Sequence, residues 1–437
     1  MDKNAVLKQI KMDRIQFVEL WFVDILGQIK TITITPDELE KALDEGIGFD
    51  GSSIEGFARI FESDLILRPE PETYLVLPWT EAPTVRFFCS IYTPEGKFYD
   101  GDSRYILKRY LEKIRQQGFT MNVGPELEYF YFKSPENPGL LDQATYFDFI
   151  PADLGSQVRN KTVSLCEKMG MKVEAAHHEV APSQHEIDIR YADALVMADM
   201  MVTLKVLIKQ VAAEHGIYAT FMPKPLFGHN GSGLHIHQSL FKDGKNAFFD
   251  NKDPNYLSQI AKAYTAGILK YIREITSVCN QWVNSYKRLV PGYEAPVYIS
   301  WGRKNRSALV RVPIYKPGKE SASRIELRSP DPACNMYLAF TVILAAGYAG
   351  IEEKLELPPA IETDIYQMTQ EEKIKNNIQT LPGSLIEAIH ETENSKLVRE
   401  ALGEHIFTKF IENKKIEWDN YRIRISHYEM ESYFPVL

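Results

Sequence analysis

This sequence predicts an α+β fold in two parts, one small and one large, on three observations. Up to about residue 100 the chain reads as short strands punctuated by Pro69, Pro71, Pro78, Pro83 and Pro94. From Asp102 onward the units lengthen into alternating helix, strand and turn. The most apolar stretch, Met336 to Ile351, is interrupted by Thr341, Gly347 and Gly350. It falls short of the ~20 residues a membrane span needs, so it reads as a buried core helix.

The elements follow in order. Ile15 to Ile34 reads as two strands joined by a turn near Gly27. Thr35-Pro-Asp-Glu38 supplies an N-cap, an N1 proline and a capping-box glutamate for a helix stopped by Gly46. TYLVLPW and TVRFFCSIY are further strand candidates. A helix of 3.6-residue apolar spacing then runs from Ser103 to Gly118. The boundary falls near residue 100, giving a small domain over 1–100 and a large one over 101–437. In the large domain, strands such as Met121–Phe132 and Glu186–Tyr191 alternate with helices such as Asp193–His215, and the chain from Ser384 is mostly helical to about Asn420. The aromatic tail HYEMESYFPVL invites a partner surface or a fold-back onto its own core; the sequence leaves both open.

Composition excludes several classes. The 437 residues are 44% hydrophobic and 25% charged, an ordinary globular balance rather than a disordered or collagenous one. Fifty Lys and Arg against 59 Asp and Glu leave a net charge of -9, which argues against nucleic acid as a partner. The four cysteines, Cys89, Cys166, Cys279 and Cys334, form no C-x-x-C pair, so neither a disulfide framework nor a thiolate zinc site is indicated. No apolar run opens the chain, and the expectation is a cytoplasmic protein without a membrane segment.

Residues two apart on a strand share a face, which puts Glu126 beside Glu128 and groups Glu186, Asp188 and Arg190, with Glu179 just upstream. His235 and His237 alternate with Leu234 and Ile236; Glu326 lies between Arg324 and Arg328. A solvated edge is the commoner fate of any one such pair. Four strands with faces of Glu, His and Arg instead suggest one shared polar cavity. Carboxylates so gathered repel by several kcal/mol unless cations neutralise them. Mostly oxygen ligands with one or two imidazoles and no sulfur suit Mg²⁺ or Mn²⁺. Among the histidines, His235 is the better ligand, while His177, His178 and His185 fit structural roles. Arg288, Arg303, Arg306 and Arg311 add guanidinium forks, and metal with arginine in one cavity describes phosphoryl transfer. Neither a Walker loop nor a strand-linked G-x-G-x-x-G is present.

These residues resemble the type I glutamine synthetases of bacteria and archaea over nearly the whole chain. The segments that carry the likeness are FDGSSIEGF (49–57), GPELE (124–128), EAAHHE (174–179), HNGSGLH (229–235), KRLVPGYEAP (287–296) and RIELRSPD (324–331). The resemblance implies a β-grasp-like small domain and a catalytic domain with a curved antiparallel sheet flanked by helices, half of an intersubunit barrel. It implies nitrogen assimilation: ATP-dependent ligation of ammonium to glutamate through γ-glutamyl phosphate, with two or more Mg²⁺ or Mn²⁺ per site. Carried over residue by residue, Glu128, Glu179 and Glu186 would hold one metal, and Glu126, His235 and Glu326 the second. Arg288, Arg328, Asn230 and Gly231 match positions that bind glutamate. Arg306 and Arg311 match those that meet the transferring phosphate. Glu174, Tyr191, His237, Ser239 and Arg324 fall on the nucleotide side.

Asp50 would bind ammonium and promote its deprotonation, and Glu294 would shield the intermediate and accept a proton; taken alone, Asp50 reads as a turn cap. The implied assembly is a dodecamer of two stacked hexamers with sites between subunits, the tail ending at Leu437 entering the opposite ring, and small regulatory proteins among the partners. Ile365-Tyr366 is followed by Gln-Met-Thr rather than Asp-Leu-Pro, which argues against control by adenylylation. The chain instead resembles the compact subgroup in which the position of Arg59 takes part in feedback inhibition by glutamine.

Overall fold

The computed structural model describes residues 1–52, 54, 64–149, 151, 153–305 and 307–437. Two sheets organise them. The first runs Ile29–Ile34, Phe17–Val23, Thr84–Tyr92, Asp64–Pro69, Ile47–Asp50, with Leu75–Val76 added to Thr84–Tyr92. Its pairs are antiparallel except Phe17–Val23 with Thr84–Tyr92, which is parallel. Helices Lys3–Met12 and Leu39–Asp44 help close its core of Val6, Ile10, Leu20, Leu39, Leu67 and Phe87. The capping box expected at Thr35 does not form. Pro36–Glu38 is a 3₁₀ turn, so the Glu38 N–H is spent on the Thr35 carbonyl (3.1 Å) and is not offered to its hydroxyl.

The second sheet runs Tyr298–Gly302, Ala308–Arg311, Ile325–Leu327, Leu234–Lys242, Phe119–Phe132, Gln184–Ile189, Val173–His178. Along this path only Tyr298–Gly302 with Ala308–Arg311 is parallel. Leu127, Ile187, Leu234, Ile236, Ile325 and Leu327 are fully buried on it, in a core completed by helices Ala194–Glu214, Gln259–Cys279 and Met336–Glu352. The strand read as Glu186–Tyr191 begins at Gln184 and stops at Ile189, so Arg190 lies past its end and is exposed. At the C-terminus, helix Glu404–Arg422 is followed by a further short helix, His427–Ser432, closed by a capping box between Ser426 and Glu429.

Met336–Glu352 is the buried helix its apolarity foretold, and among the described residues no helix is long and apolar enough to cross a membrane. Its glycines let it approach Gln259–Cys279 closely. A Cβ on Gly350 would strike the Ala263 carbonyl and Gly267, and one on Gly267 would strike the Ala346 carbonyl. Gly267→Ala is therefore expected to force the pair apart and destabilise by about 1–3 kcal/mol. A urea midpoint indistinguishable from wild type would contradict this reading.

The two sheets are joined through buried polar groups. Asn335 donates to the carbonyls of Asp24 and Ile25, and Gln281 donates to that of Leu26. Arg104 forks onto both oxygens of Asp199 (2.9 Å each) and reaches Glu70 at 2.8 Å. The larger core takes in Trp21, Val23, Ile25, Leu77 and Phe88 from the first hundred residues.

Candidate active site

Register on the second sheet brings the polar faces together. Along Phe119–Phe132, Glu126 lies opposite His235 on one side and Asp188 on the other, and Glu128 lies opposite Glu186. One strand further, Glu326 pairs with His237 and with Arg311. Acids that alternate along single strands thus become neighbours across five. The apolar residues between them face the opposite way into the core, which fixes the register.

Side chains meet within this patch. Glu126 accepts from His235 Nδ1 at 2.8 Å and from His237 Nε2 at 2.7 Å. His235 Nε2 lies 3.7 Å from Glu128, and His177 Nε2 lies 3.0 Å from Glu186. Glu326, 1% exposed, holds Arg311 at 2.8 Å and Arg328 at 3.2 Å on its two oxygens. Arg324 donates to His237 Nδ1 at 3.1 Å. Arg288 is buried, its guanidinium bonded to the Ser329 and Arg328 carbonyls. A Cβ on Gly233 would meet the side-chain ends of Arg288, His235 and Glu128 within 3.1 Å, so a larger residue would displace the groups that converge there.

Charge is unevenly settled. Burial raises the Glu126 carboxyl, but the hydrogen bonds from His235 and His237 outweigh it and hold the group well below the carboxylate range. Burial and the Glu128 charge push Glu179 up to about 8. Burial and Glu126 push Asp188 up to about 7, and burial with Glu128 and Asp188 drives Glu186 well above its ordinary value. These acids crowd without enough cationic partners, the situation a divalent ion relieves. Compact donor groups are Glu126, Glu186 and His235; Glu126, His237 and Glu326; and His177, Glu186 and Asp188. Oxygen and imidazole donors without thiol fit a hard divalent ion.

Other expected residues fall around this patch. Glu174, Tyr191, His237, Ser239 and Arg324 line one cavity of about 340 Å³ that also touches Glu126 and Asp188. Arg311 and Arg324 border a second, of about 740 Å³, with Arg303, Lys304, Lys316 and Lys319 and, among the described residues, no acid on its wall. Such a basic chamber beside the acids suits a polyphosphate. Asn230 donates to Glu294 at 3.2 Å, joining the two loops expected at the glutamate end. Gly231 lies against the Pro223 carbonyl and Arg288. Asp50 ends the edge strand Ile47–Asp50 of the other sheet and accepts the Ser52 N–H at 2.8 Å, the turn-cap geometry. Arg59 and Arg306 lie outside the described residues.

Two site members carry no ligand role in the sequence reading. Asp188 shares its face with Glu186, as alternation along the strand places it. The contact of His177 with Glu186 comes from a cross-strand pairing that the segment HHE does not reveal. His178 and His185 are tied elsewhere, to Asp142 (3.2 Å) and Arg159 (2.7 Å).

Comparison with known proteins follows the same lines. Residues 100–433 match the family model "Glutamine synthetase, catalytic domain", and residues 14–94 match "Glutamine synthetase, beta-Grasp domain". The chain belongs to the glutamine synthetase family. Glutamine synthetase of Mycolicibacterium smegmatis is 50% identical over 442 residues, covering 99% of each chain. That of Methanosarcina mazei is 48% identical over 441 residues, covering 100% of this chain and 98% of the relative. Among solved structures, Plasmodium falciparum glutamine synthetase superposes with a TM-score of 0.89 at 26% identity over 99% of both chains. A complex of GmaS with ADP also reaches 0.89, at 29% identity over 98% of this chain and 99% of that one. As a glutamine synthetase, the chain is an ATP-dependent ligase that forms glutamine from glutamate and ammonia, in a family that uses divalent metal ions.

Proposed function

We propose that catalysis runs through an enzyme-bound γ-glutamyl phosphate, in a site whose parts this chain holds in the roles the resemblance implies. The observation that carries it is the convergence of Glu126, Glu128, Glu186, His235 and Glu326 on one sheet face beside a chamber walled by arginine and lysine. Glu128, Glu179 and Glu186 would hold one divalent ion and Glu126, His235 and Glu326 another, Mg²⁺ or Mn²⁺. When bound, the ions supply neutralisation of the ATP phosphates.

The chain's own groups do the rest. Glu174, Tyr191, His237, Ser239 and Arg324 seat the nucleotide. Arg288 and Arg328 grip glutamate, with Asn230 and Gly231 at its amino-acid end. Arg306 and Arg311 stabilise charge on the phosphoryl group as the carboxylate attacks in line. Ammonium loses its proton beside Asp50, and Glu294, held by Asn230, excludes water and accepts a proton as the intermediate collapses.

Because Asp50 belongs to the small domain over 1–100 and the acids to the catalytic domain over 101–437, we place each site between neighbouring subunits of a dodecamer of two hexameric rings. The tail, with Tyr428, Phe434 and Leu437 exposed, enters the opposite ring. Glutamine feeds back through Arg59.

One steady-state experiment tests the amine. Wild type is expected to prefer ammonium over methylamine by kcat/KM, and Asp50→Ala is expected to raise the apparent KM for ammonium by at least ~10-fold, leaving that for ATP unchanged. Preference for methylamine would remove the glutamine assignment; unchanged ammonium dependence in the variant would remove Asp50 from its role.

A further inference from the structure

Gln184 opens the strand Gln184–Ile189 and is 1% exposed. Its main chain closes the turn that carries Glu179, accepting from the Glu179 N–H at 2.8 Å and donating to the Ala181 carbonyl at 3.1 Å. Its side chain does something else. The amide oxygen accepts the Ala181 N–H at 3.1 Å, which leaves the NH₂ pointing into the site. That NH₂ donates to Glu128 Oε2 at 2.9 Å and to the Gly231 carbonyl at 3.2 Å. The amide orientation is set by these partners: one main-chain donor meets its oxygen and two acceptors meet its nitrogen.

Glu128 is asymmetric as a result. Its Oε2 takes two N–H groups, from Gln184 and from the Gly233 main chain at 2.8 Å, while Oε1 lies 3.7 Å from His235 Nε2. Both donors on Oε2 come from fully buried groups, so the carboxylate has little freedom to rotate. The Gly231 carbonyl is held by the same amide. The Gln184 nitrogen therefore ties Glu128 Oε2 to the main chain of Gly231, the residue read above at the amino-acid end of glutamate.

We propose that Gln184 is a positioning residue which couples the metal side of the site to its amino-acid side. It presents Glu128 to the cation through Oε1, and it fixes the Gly231 main chain on the glutamate side. The inference rests on the glutamate-binding and metal-binding reading above. It adds a residue outside the ligand set whose loss moves two constants together and spares a third.

The test is Gln184→Met, which keeps length and apolar volume but removes both donors, alongside Gln184→Glu, which keeps the acceptor for Ala181 and sets a second carboxyl against Glu128. Calorimetric titration of the metal-free full-length enzyme with Mn²⁺ is expected to show one class of site weakened 10–100-fold, the range seen when an outer partner of a metal ligand is lost. The KM for glutamate is expected to rise by about 10-fold, with the KM for ATP within twofold of wild type. Unchanged Mn²⁺ affinity would overturn the proposal, as would Mn²⁺, glutamate and ATP binding all weakening together with a lower melting temperature, the mark of a packing role. Failure of both variants to fold would overturn it likewise, by making Gln184 a folding residue. If wild type forms no glutamine, the functional reading fails on its own while the Mn²⁺ titration still decides whether Gln184 orients Glu128.

Discussion

Glu326→Ala is expected to lower kcat/KM by at least about 10³-fold, with loss of nucleotide affinity, because one residue serves four neighbours at once. It lies opposite His237 in register, groups with His237 and Glu126 as a donor set, and stands between the guanidinia of Arg311 and Arg328. At 1% exposure no water can take over these duties. Alanine removes the acid between Arg328 and Arg311, the second of which borders the phosphate chamber, so their positions relax as well as the charge balance. Glu326→Gln separates the two effects: it keeps the volume and an acceptor for the arginines but not the negative charge. Turnover of the glutamine variant near wild type would show the charge to be unimportant, and nucleotide binding by Glu326→Ala at wild-type affinity would refute the role altogether. Fluorescence titration with a nucleotide analogue, next to steady-state kinetics, reads both.

The second large effect is on stability. Arg104→Met is expected to cost about 3–5 kcal/mol, because it takes the cation from buried Asp199 and leaves buried Glu70 with the Lys108 ammonium alone. Burial pushes the Glu70 carboxyl up, yet the Arg104 charge, the Lys108 ammonium at 2.7 Å and the Ser90 hydroxyl at 2.5 Å pull it down further, to about 2. The folded value is thus below the ordinary 4.5. A depressed carboxyl contributes stability that is whole above the unfolded value and fades as pH falls through the folded one. The difference between wild type and Arg104→Met, measured by urea unfolding, should therefore be widest above about pH 4.5 and narrow on the way to pH 2. A difference independent of pH over that interval would take Glu70 out of the account. Adding Glu70→Gln to Arg104→Met should return part of the loss, since a neutral amide tolerates the buried site better than a carboxylate reduced to one cationic partner.

Much of the site could be read in advance because β-strand geometry is simple. A period of two is enough to place Glu126 with Glu128 and Glu186 with Asp188, and the run of His235 and His237 obeys the same rule. What alternation cannot say is which strand lies beside which. That Glu126 faces His235 across one ladder and Asp188 across the other is a long-range fact, with nothing local to encode it. His177, which fits a structural role by sequence, meets Glu186 only through such a pairing. The strands Ile47–Asp50 and Asp64–Pro69 were passed over because short runs beside Gly and Pro resemble turns. Helices were easier, as in Ala194–Glu214, whose Asp193 cap and apolar run mark both ends. The role of Gln184 had no local signal, since a buried glutamine in a Pro-Ser-Gln turn looks like any other loop residue.

The alternating register of the central strands has a consequence for tolerance to change. An inserted or deleted residue within Phe119–Phe132 would invert every side chain beyond it, sending Glu126 or Glu128 into grease and Leu127 into the cleft. Such a frame error would cost folding and chemistry in one stroke, so length variation in this lineage should be confined to the hairpin tips, and any surviving indel in that strand would have to arrive in pairs.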